Sequence, residues 1–447
     1  MNRILILLSI SISFSNSIKQ NYSDISLRII SEALSDSTAY ERLAYLCDSF
    51  GPRLSGSKNL ENSINWIIDE MKMDGFDRVE GQRVRVPTWI RGDESIHILK
   101  PFKKELSMLG LGGSVSTPKS GITADVLVVN NYDDLESKSN KVKGKIVLYN
   151  VPFTNYSETV QYRYSGASRA ARYGAVASLV RSIGDWSMDT PHTGVMGYDE
   201  NYDKIPAAAL TMEDAMMLGR IHERQQKITL KIQMDAKTVG DRWSRNIISE
   251  IKGHEYPDEI VVVGAHIDSW DVGQGAHDDG GGCIASWEVL RLIKTLGLKP
   301  KRTIRCVLWT NEENGLRGSS SYRDMHLDEL DNHIVAIESD AGVFAPQGFG
   351  FSGNKDAREI IEDIHELLKP IKANQITDWG RAPDVAILND EGIPVMSLNV
   401  DLSKYFWYHH SAADTFDKVD FHDFNKCVAA MAIMAFVIAD LDRTLPR

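Results

Sequence analysis

The chain has 447 residues, of which 43% are hydrophobic and 25% are charged, and its net charge at pH 7 is −12. This length and composition predict two or three globular domains with enough apolar material for a large core. Nucleic acids and anionic membranes bind mainly through basic patches, so the acidic balance argues against either as the main partner.

The N-terminal residues 1–17 have the pattern of a secretory signal peptide, with a short basic start, an apolar stretch at 4–14 and small residues at 15–17. The apolar stretch is too short to span a bilayer, and we expect no membrane-spanning segment elsewhere and no membrane partner. Asn21 and Asn155 open Asn-X-Ser triplets, which predict N-glycosylation. The sequence therefore predicts a secreted, extracellular protein. The alternative for residues 1–17 is a buried helix or strand.

Residues 18–86 have the pattern of a helical beginning to an α/β domain. Helical periodicity over 27–48 and 61–73 is interrupted by the turn-rich loop 51–57. Strand-like alternation follows at the end of this region. We therefore assign residues 18–86 to the N-terminal part of the main domain.

The middle of the chain, residues 87–242, has a different character. Strand-type or helical patterns occur at 122–129, 145–149, 167–173, 176–180 and 227–233. The region has no cluster of metal-ligand residue types of its own. We interpret it as an inserted, β-rich domain.

Residues 243–447 alternate strand and helix patterns and form the C-terminal part of the main domain. Strands are predicted at 247–251, 260–265, 303–309, 334–338 and 394–399, and helices at 281–295, 316–325, 356–368 and 420–441. This alternation predicts an α/β fold with a mostly parallel, mixed sheet flanked by helices. In such sheets, functional sites form at the carboxyl ends of the strands.

Candidate metal ligands follow several of these strands. His266 and Asp278 lie on either side of a short loop, and Glu313 and Asp340 come just past the next two strands. His410 follows near the C-terminus. Five nitrogen and oxygen ligands suit two zinc ions per chain that share one carboxylate. We assign Asp278 as the bridge, His266 and Asp340 to one zinc, and Glu313 and His410 to the other.

Two further residues have predicted catalytic roles. Asp268 is expected to hydrogen-bond the outer nitrogen of His266 and fix its tautomer. Glu312 is the candidate general base, which takes a proton from the metal-activated water and passes it to the leaving amine. Each motif alone also fits an ordinary loop, turn or helix N-terminus, but their combination favours a metal site. His409 is the alternative to His410 as a ligand.

Several segments resemble the co-catalytic di-zinc aminopeptidase family. They are GPRLSGS at 51–57, GAHIDS at 264–269, GAHDDG at 275–280, NEE at 311–313, ESD at 338–340 and HSAADT at 410–415. The resemblance implies the zinc exopeptidase fold, the same five zinc ligands and Glu312 as base. The insertion resembles a protease-associated domain, so the peptidase domain would comprise residues 18–86 and 243–447.

The branch that the chain resembles has further implied properties. Its members cleave dipeptides and short peptides with free termini, and they are secreted or lysosomal homodimers. They are made as zymogens with a propeptide, for which residues 18–37 are the candidate segment. Aminopeptidase and carboxypeptidase polarity both stay open, because the distinction disappears on a dipeptide.

The leading hypothesis is a secreted di-zinc exopeptidase that hydrolyses dipeptides or short peptides with a metal-bridging water and a Glu base. One alternative is a non-catalytic binding module on the same fold, which predicts missing ligands. Another is a single-zinc glutaminyl cyclase, which shares the fold. The complete two-metal ligand set and the inserted domain favour the peptidase.

Overall fold

The computed structural model of the protein describes residues 2–186 and 188–447. Met1, Ser187 and the side chains of residues 2–17 lie outside the described residues. The predicted signal peptide at 1–17 therefore lies outside the described side chains, and its assignment stays a prediction.

The chain folds into two compact units. The first comprises Met1–Val86, Trp243–Tyr405 and Thr415–Arg447, and the second comprises Pro87–Arg242 and Phe406–Asp414. The sequence placed the short segment Phe406–Asp414 with the C-terminal part of the main domain. It groups with the second unit because its backbone pairs there: the Thr193 N–H donates to the His410 carbonyl at 2.9 Å.

The helices and strands of the described residues are as follows. Helices α1–α13 span, in chain order, Asn2–Ser35, Thr38–Phe50, Lys58–Met73, Tyr132–Ser137, Tyr156–Tyr164, Gly166–Ala171, Met212–Glu223, Gly281–Thr295, Arg317–Met325, Lys355–His365, Pro383–Asp390, Tyr405–Tyr408 and Phe421–Asp440. Strands β1–β16 span Arg78–Ile90, Glu94–Lys100, Lys104–Leu106, Met108–Gly110, Ile122–Val129, Ile146–Tyr149, Ala177–Arg181, Ala207–Leu210, Thr229–Met234, Lys237–Ile251, Tyr256–His266, Arg302–Trp309, His333–Glu338, Pro346–Ser352, Gln375–Thr377 and Val395–Val400. Short 3₁₀ helices occupy Ser139–Lys141, Leu327–Asn332, Glu366–Ile371, Leu402–Lys404 and Phe416–Lys418, and a π-helical turn occupies Ala276–Gly280.

The first unit is built on an eight-stranded sheet in the order β1-β10-β12-β11-β13-β16-β14-β15. The four central strands β12, β11, β13 and β16 run parallel, whereas β10 and β14 pair antiparallel with their neighbours β12 and β16. The predicted α/β fold with a mostly parallel, mixed sheet is therefore confirmed. The carboxyl ends of β11, β12 and β13 meet at one edge of this sheet.

Helices cover both faces of this sheet. Along β11, Val261 and Val263 face a large apolar cluster that includes residues of α1, α2, α3, α8, α10 and α13. Val262, which points the opposite way, packs in a second cluster with Tyr322 of α9 and Val385 of α11. Successive side chains of a strand point to opposite faces, so a run of valines buried on both sides reads as continuously apolar.

The apolar character of α13 is explained by its position in the core. Among the described residues it is the one helix long and apolar enough to cross a membrane. Of its most apolar stretch, 78% is buried inside the protein. The candidate propeptide segment packs against it, with the Tyr22 hydroxyl donating to the Asp440 carbonyl at 2.9 Å. Ile18 and Ile29 are 2% and 0% exposed. This segment is thus an integral part of the folded unit.

The second unit has its own eight-stranded sheet, in the order β3-β2-β9-β5-β6-β7-β8-β4. Strands β5, β6, β7 and β8 run parallel, and the pairs at either side are antiparallel. Two apolar clusters fill the unit, and α7 contributes Ala215 and Leu218 to one of them. This unit therefore has a core of its own.

A buried histidine should make the stability of the first unit depend on pH. The Nδ1–H of His333 donates to the Glu329 carbonyl at 2.9 Å, and its Nε2 accepts the Tyr322 hydroxyl at 2.8 Å. Burial, together with the nearby Arg305 charge, lowers the pKa of His333 from 6.5 to about 4. Between these values the unfolded chain binds more protons than the folded one, so stability falls as the pH falls from about 6.5 to 4, by up to about 1.4 kcal/mol per pH unit.

We expect His333→Gln to flatten this pH dependence, since the amide does not titrate. The measurement is the free energy of unfolding by denaturant at several pH values between 4 and 7. The exposed His422→Gln serves as a control and should keep the wild-type slope. An identical slope in His333→Gln and the wild type would contradict the prediction.

Candidate metal centre

His266, the last residue of β11, is oriented by the backbone. Its Nδ1 lies 2.9 Å from the carbonyl oxygen of Asp268, and a carbonyl can only accept, so Nδ1 carries the proton. In the neutral ring the Nε2 atom therefore presents a lone pair. It faces Asp340 Oδ1 at 3.1 Å and Asp278 Oδ1 at 3.2 Å. Two carboxylate oxygens and a nitrogen lone pair converge in a buried space, and only a cation or an added proton reconciles them.

The electrostatics of this cluster fit a divalent metal. Burial alone would lower the pKa of His266, but the carboxylates of Asp340 and Asp278 outweigh it and raise this pKa well above its ordinary value. Burial raises the pKa of Glu313 well above the usual range, and the charge of Asp278 adds to the effect. Each acid thus makes its neighbour harder to ionise. Zinc prefers such nitrogen and carboxylate ligands, and bound zinc would balance the negative charge.

The loop before α8 separates the roles of two consecutive acids. Asp279 Oδ2 accepts the His266 N–H at 3.2 Å, and its Oδ1 accepts the Gly282 N–H at 3.0 Å. Asp279 therefore anchors the loop, although one of its oxygens lies within 4.8 Å of ligand atoms of His266 and Asp340. A Cβ at Gly282 would overlap the Ser339 carbonyl and the Asp279 carboxylate, so this position requires glycine. Asp278 is left facing His266.

The contact between Asp268 and His266 differs from the expected one. The backbone carbonyl of Asp268 holds the His266 Nδ1–H, whereas the nearer carboxylate oxygen of Asp268 is 4.0 Å away. The carboxylate instead accepts the Glu312 N–H at 3.1 Å and the Ser55 hydroxyl at 3.1 Å. Asp268 therefore orients both the histidine and the Glu312 backbone.

Glu312 and Glu313 follow β12 and point into the same region. Glu312 Oε2 lies 4.0 Å from His266 Nε2, and 18% of the Glu312 side chain is exposed. Glu313 is 5% exposed. Burial raises the pKa of Glu312 well above its ordinary value, and the charges of Asp340 and Asp384 add to this. The partial exposure of Glu312 leaves it reachable by solvent, as a group that exchanges protons must be.

A buried arginine outside the predicted site residues fixes the loop between His266 and Asp278. Arg53 is 0% exposed, and its guanidinium donates to the carbonyls of Ile267, Gly51, Gln274 and Gly275. Nearby, the Asn311 amide donates to Ser55 Oγ at 3.0 Å. The only sequence signal for these contacts is the early motif GPRLSGS, which gives no hint of the partner loop.

His410 belongs to the second unit and has a similar backbone contact. Its Nδ1 lies 3.3 Å from the Thr193 carbonyl and 3.4 Å from Nη1 of Arg163. The tautomer in which Nδ1–H donates to the carbonyl leaves the lone pair on Nε2. The ring of His409 stacks on it at 3.6 Å with an interplanar angle of 20°. Burial, followed by the charges of His409 and Arg163, lowers the pKa of His410 well below its ordinary value. The imidazole is therefore neutral, which is the form that binds metals.

The first unit thus brings together His266, Asp278, Glu312 and Asp340, with Glu313 beside them, and the second unit carries His410. Both predicted glycosylation sites, Asn21 and Asn155, are exposed. Exposure is a requirement for glycosylation, and their modification stays a prediction.

Comparisons with known proteins agree on one family. The sequence pattern of Peptidase family M28 matches residues 246–435. Carboxypeptidase Q of Homo sapiens is 46% identical over 427 residues, covering 95% of this chain and 90% of that protein. Carboxypeptidase Q of Mus musculus is 45% identical, covering 96% of this chain and 92% of that protein.

Solved structures extend the similarity to the fold. The structure of a Peptidase M28 precursor from Shewanella amazonensis SB2B is 34% identical, with a TM-score of 0.93 over 96% of this chain and 99% of that one. A zinc aminopeptidase from Bacillus subtilis, at 22% identity and a TM-score of 0.68 over 89% of this chain and 93% of that one, shares the fold.

Removal of the Asp268 carboxylate should weaken zinc binding without removing a ligand. Asp268→Ala leaves the Glu312 N–H and the Ser55 hydroxyl without their acceptor. Because Glu312 directly precedes the predicted ligand Glu313, we expect zinc affinity to fall about 10- to 100-fold. Asp268→Asn keeps an acceptor oxygen for Glu312 and should show a smaller loss. Competition with a chromophoric chelator measures both.

The buried Asp214 of the second unit, which accepts the Ser107 N–H at 3.2 Å, provides the matched control. Asp214→Asn should leave zinc affinity at the wild-type value. Equal zinc affinity in Asp268→Ala and the wild type would show that Asp268 does not organise the site.

Proposed function

Because the chain belongs to peptidase family M28 and is a zinc-dependent exopeptidase, we propose that it hydrolyses dipeptides and short peptides with free termini, using two zinc ions per chain. The observation that carries this proposal is the Nε2 atom of His266 facing the carboxylates of Asp278 and Asp340 at 3.2 and 3.1 Å. This donor set suits zinc, which would take the place of the proton that otherwise joins the imidazole to the two carboxylates.

The zinc ligands we propose are the five acids and histidines of the family motifs: His266, Asp278, Glu313, Asp340 and His410. Asp278 is the proposed bridge. Bound zinc would acidify a water molecule and polarise the scissile carbonyl. The backbone carbonyls of Asp268 and Thr193 hold the outer nitrogens of the two histidines, and this supports both as ligands through Nε2.

Glu312 is the proposed general base. Its backbone N–H is fixed by Asp268, and its carboxylate is close to His266 yet partly exposed. In this position it accepts a proton from the attacking water and passes it to the leaving amine. Burial raises the pKa of this carboxyl group toward neutral pH, where a group can both accept and donate a proton efficiently.

The proposed substrate size follows from the relatives. Proteins 45–46% identical to the chain are carboxypeptidases by name, whereas the fold is shared with aminopeptidases. A dipeptide has a single peptide bond flanked by both termini, so one enzyme can satisfy both descriptions. We therefore propose dipeptides as the main substrates.

The remaining parts of the proposal concern the setting of the enzyme. We propose that residues 1–17 direct it into the secretory pathway, that Asn21 and Asn155 carry glycans, and that it acts outside the cell or in lysosomes as a homodimer. The second unit, Pro87–Arg242 with Phe406–Asp414, is proposed to be a protease-associated domain.

Glu312→Gln should separate zinc binding from catalysis. The amide cannot accept the proton, so we expect turnover to fall by about 10²- to 10⁴-fold while bound zinc stays near two per chain. Elemental analysis and steady-state kinetics on one dipeptide measure the two quantities. The exposed Glu158→Gln is the control for a neutralised glutamate. Near-normal turnover in Glu312→Gln would remove this residue from the mechanism.

A dipeptide library provides the broader test of function. Free dipeptides should be cleaved, a chelator should abolish cleavage, and added zinc should restore it. N-acetylated and C-amidated versions then reveal which terminus the enzyme requires. No cleavage of any peptide by zinc-loaded protein would favour a binding module, and cyclisation of N-terminal glutamine with one bound zinc would favour a glutaminyl cyclase.

A further inference from the structure

The second unit contains a buried arginine with no acidic partner among the described side chains. Arg163, in α5, is 4% exposed. Its Nη2 donates to the Tyr156 hydroxyl at 2.8 Å and its Nη1 to the Thr193 carbonyl at 3.2 Å. Burying a guanidinium without a counter-charge costs free energy. A buried arginine at this position therefore indicates a specific role for its side chain.

The Thr193 carbonyl receives two donors. One is Arg163 Nη1, and the other is Nδ1 of His410 at 3.3 Å. The guanidinium and Nδ1 are 3.4 Å apart, and when both carry protons they cannot bond to each other. The shared carbonyl is therefore what holds them side by side. A proton on Nδ1 can donate to this carbonyl, and the lone pair is then on Nε2.

The backbone around this carbonyl is shaped to the guanidinium. The Thr193 N–H donates to the His410 carbonyl at 2.9 Å, and the Thr193 hydroxyl donates to the Gly110 carbonyl at 2.8 Å. Gly194 has a φ of +141°, and a Cβ at this position would overlap Cζ and Nη1 of Arg163. The peptide between Thr193 and Gly194 is thus held on both sides with the guanidinium lying against it.

Arg163 is also linked to the stacked pair His409 and His410 through Tyr156. The Tyr156 ring stands edge-on to His409, with centroids 5.2 Å apart and an interplanar angle of 89°. His409 in turn stacks on His410. The Tyr156 hydroxyl, held by Arg163, therefore fixes the support under His410 as well.

We propose that Arg163 is a positioning residue for His410: it holds the Thr193 carbonyl and the Tyr156 ring so that Nε2 of His410 points to zinc. This inference rests on the proposed function, because it takes His410 to be a zinc ligand. Asp268 supplies the equivalent carbonyl to His266 from its own loop. The carbonyl that contacts His410 Nδ1 belongs to Thr193, which is distant in sequence and also accepts from Arg163.

The test uses variants of the full-length protein. Arg163→Met removes the donors but keeps much of the volume, Arg163→Lys retains a charged donor, and Gly194→Ala displaces the guanidinium while leaving the arginine in place. Arg169→Met, at an exposed arginine of the same unit, is the matched control. The readouts are the affinity of each zinc by chelator competition and the visible absorption spectrum of the Co²⁺-substituted protein, which reports ligand geometry.

We expect Arg163→Met and Gly194→Ala to weaken one of the two zinc ions about 10- to 100-fold and to change the Co²⁺ spectrum. Arg163→Lys should recover part of the affinity, and Arg169→Met should match the wild type. Circular dichroism and thermal unfolding of the metal-free proteins identify any variant that fails to fold. If Arg163→Met does not fold, the comparison of Gly194→Ala and Arg163→Lys with the wild type decides the matter.

Unchanged affinity and an unchanged Co²⁺ spectrum in the folded Arg163 and Gly194 variants would overturn the positioning role and leave the proposed function intact. The proposed function fails in a different way. A His410→Ala variant that retains two zinc ions at wild-type affinity would show that His410 is no ligand, whatever Arg163 does.

Discussion

Negative charge held out of water is the constraint on which the rest of this structure depends. Asp278 and Glu313 are buried, and Asp278 and Asp340 lie 3.2 and 3.1 Å from Nε2 of one imidazole. Each carboxylate raises the free energy of ionising its neighbour. Water cannot screen them there, so either protons or a divalent cation must balance the charge. The loops of the first unit keep these groups together in spite of that repulsion. The proposed zinc ions would be attracted to the same carboxylates and would remove the repulsion between them.

Hydrogen bonds between side chains and the backbone hold the proposed ligands in place. Arg53 gathers carbonyls of the loop after β11, Asp279 ties the next loop to the His266 N–H, and one carbonyl sets the tautomer of His266. The second unit uses the same device at His410 with the Thr193 carbonyl. Tautomer and ring orientation of a histidine ligand are decided by the partner of its outer nitrogen. The two units therefore solve one chemical problem by the same means.

The sequence predicts the central sheet well, for clear physical reasons, and the ligand residues stay a prediction. Strand β11 and helix α8 are marked by a valine run and by a glycine-rich start, and the ligands follow strand ends. Strand β8, Ala207–Leu210, is missed because three alanines give no strand signal, and the position of Phe406–Asp414 depends on long-range backbone pairing. The sequence predicts a contact between the Asp268 carboxylate and His266, but the backbone carbonyl of Asp268 makes this contact. Every residue type has the same carbonyl, so the sequence gives no sign of it.

Ligand motifs alone therefore underdetermine a working metal site. The five proposed ligands can be identified from the sequence, but two of their supports cannot. Arg53 contacts the Gly275 carbonyl and Arg163 contacts His410, each more than 200 residues further along the chain. Gly194 adds a requirement of shape, because any side chain there would displace the guanidinium. A related chain with all five proposed ligands but without Arg53, Arg163 and Gly194 would have the right ligand types. It would lack the contacts that orient them. Competence for zinc should thus be judged from the supports and the ligands together.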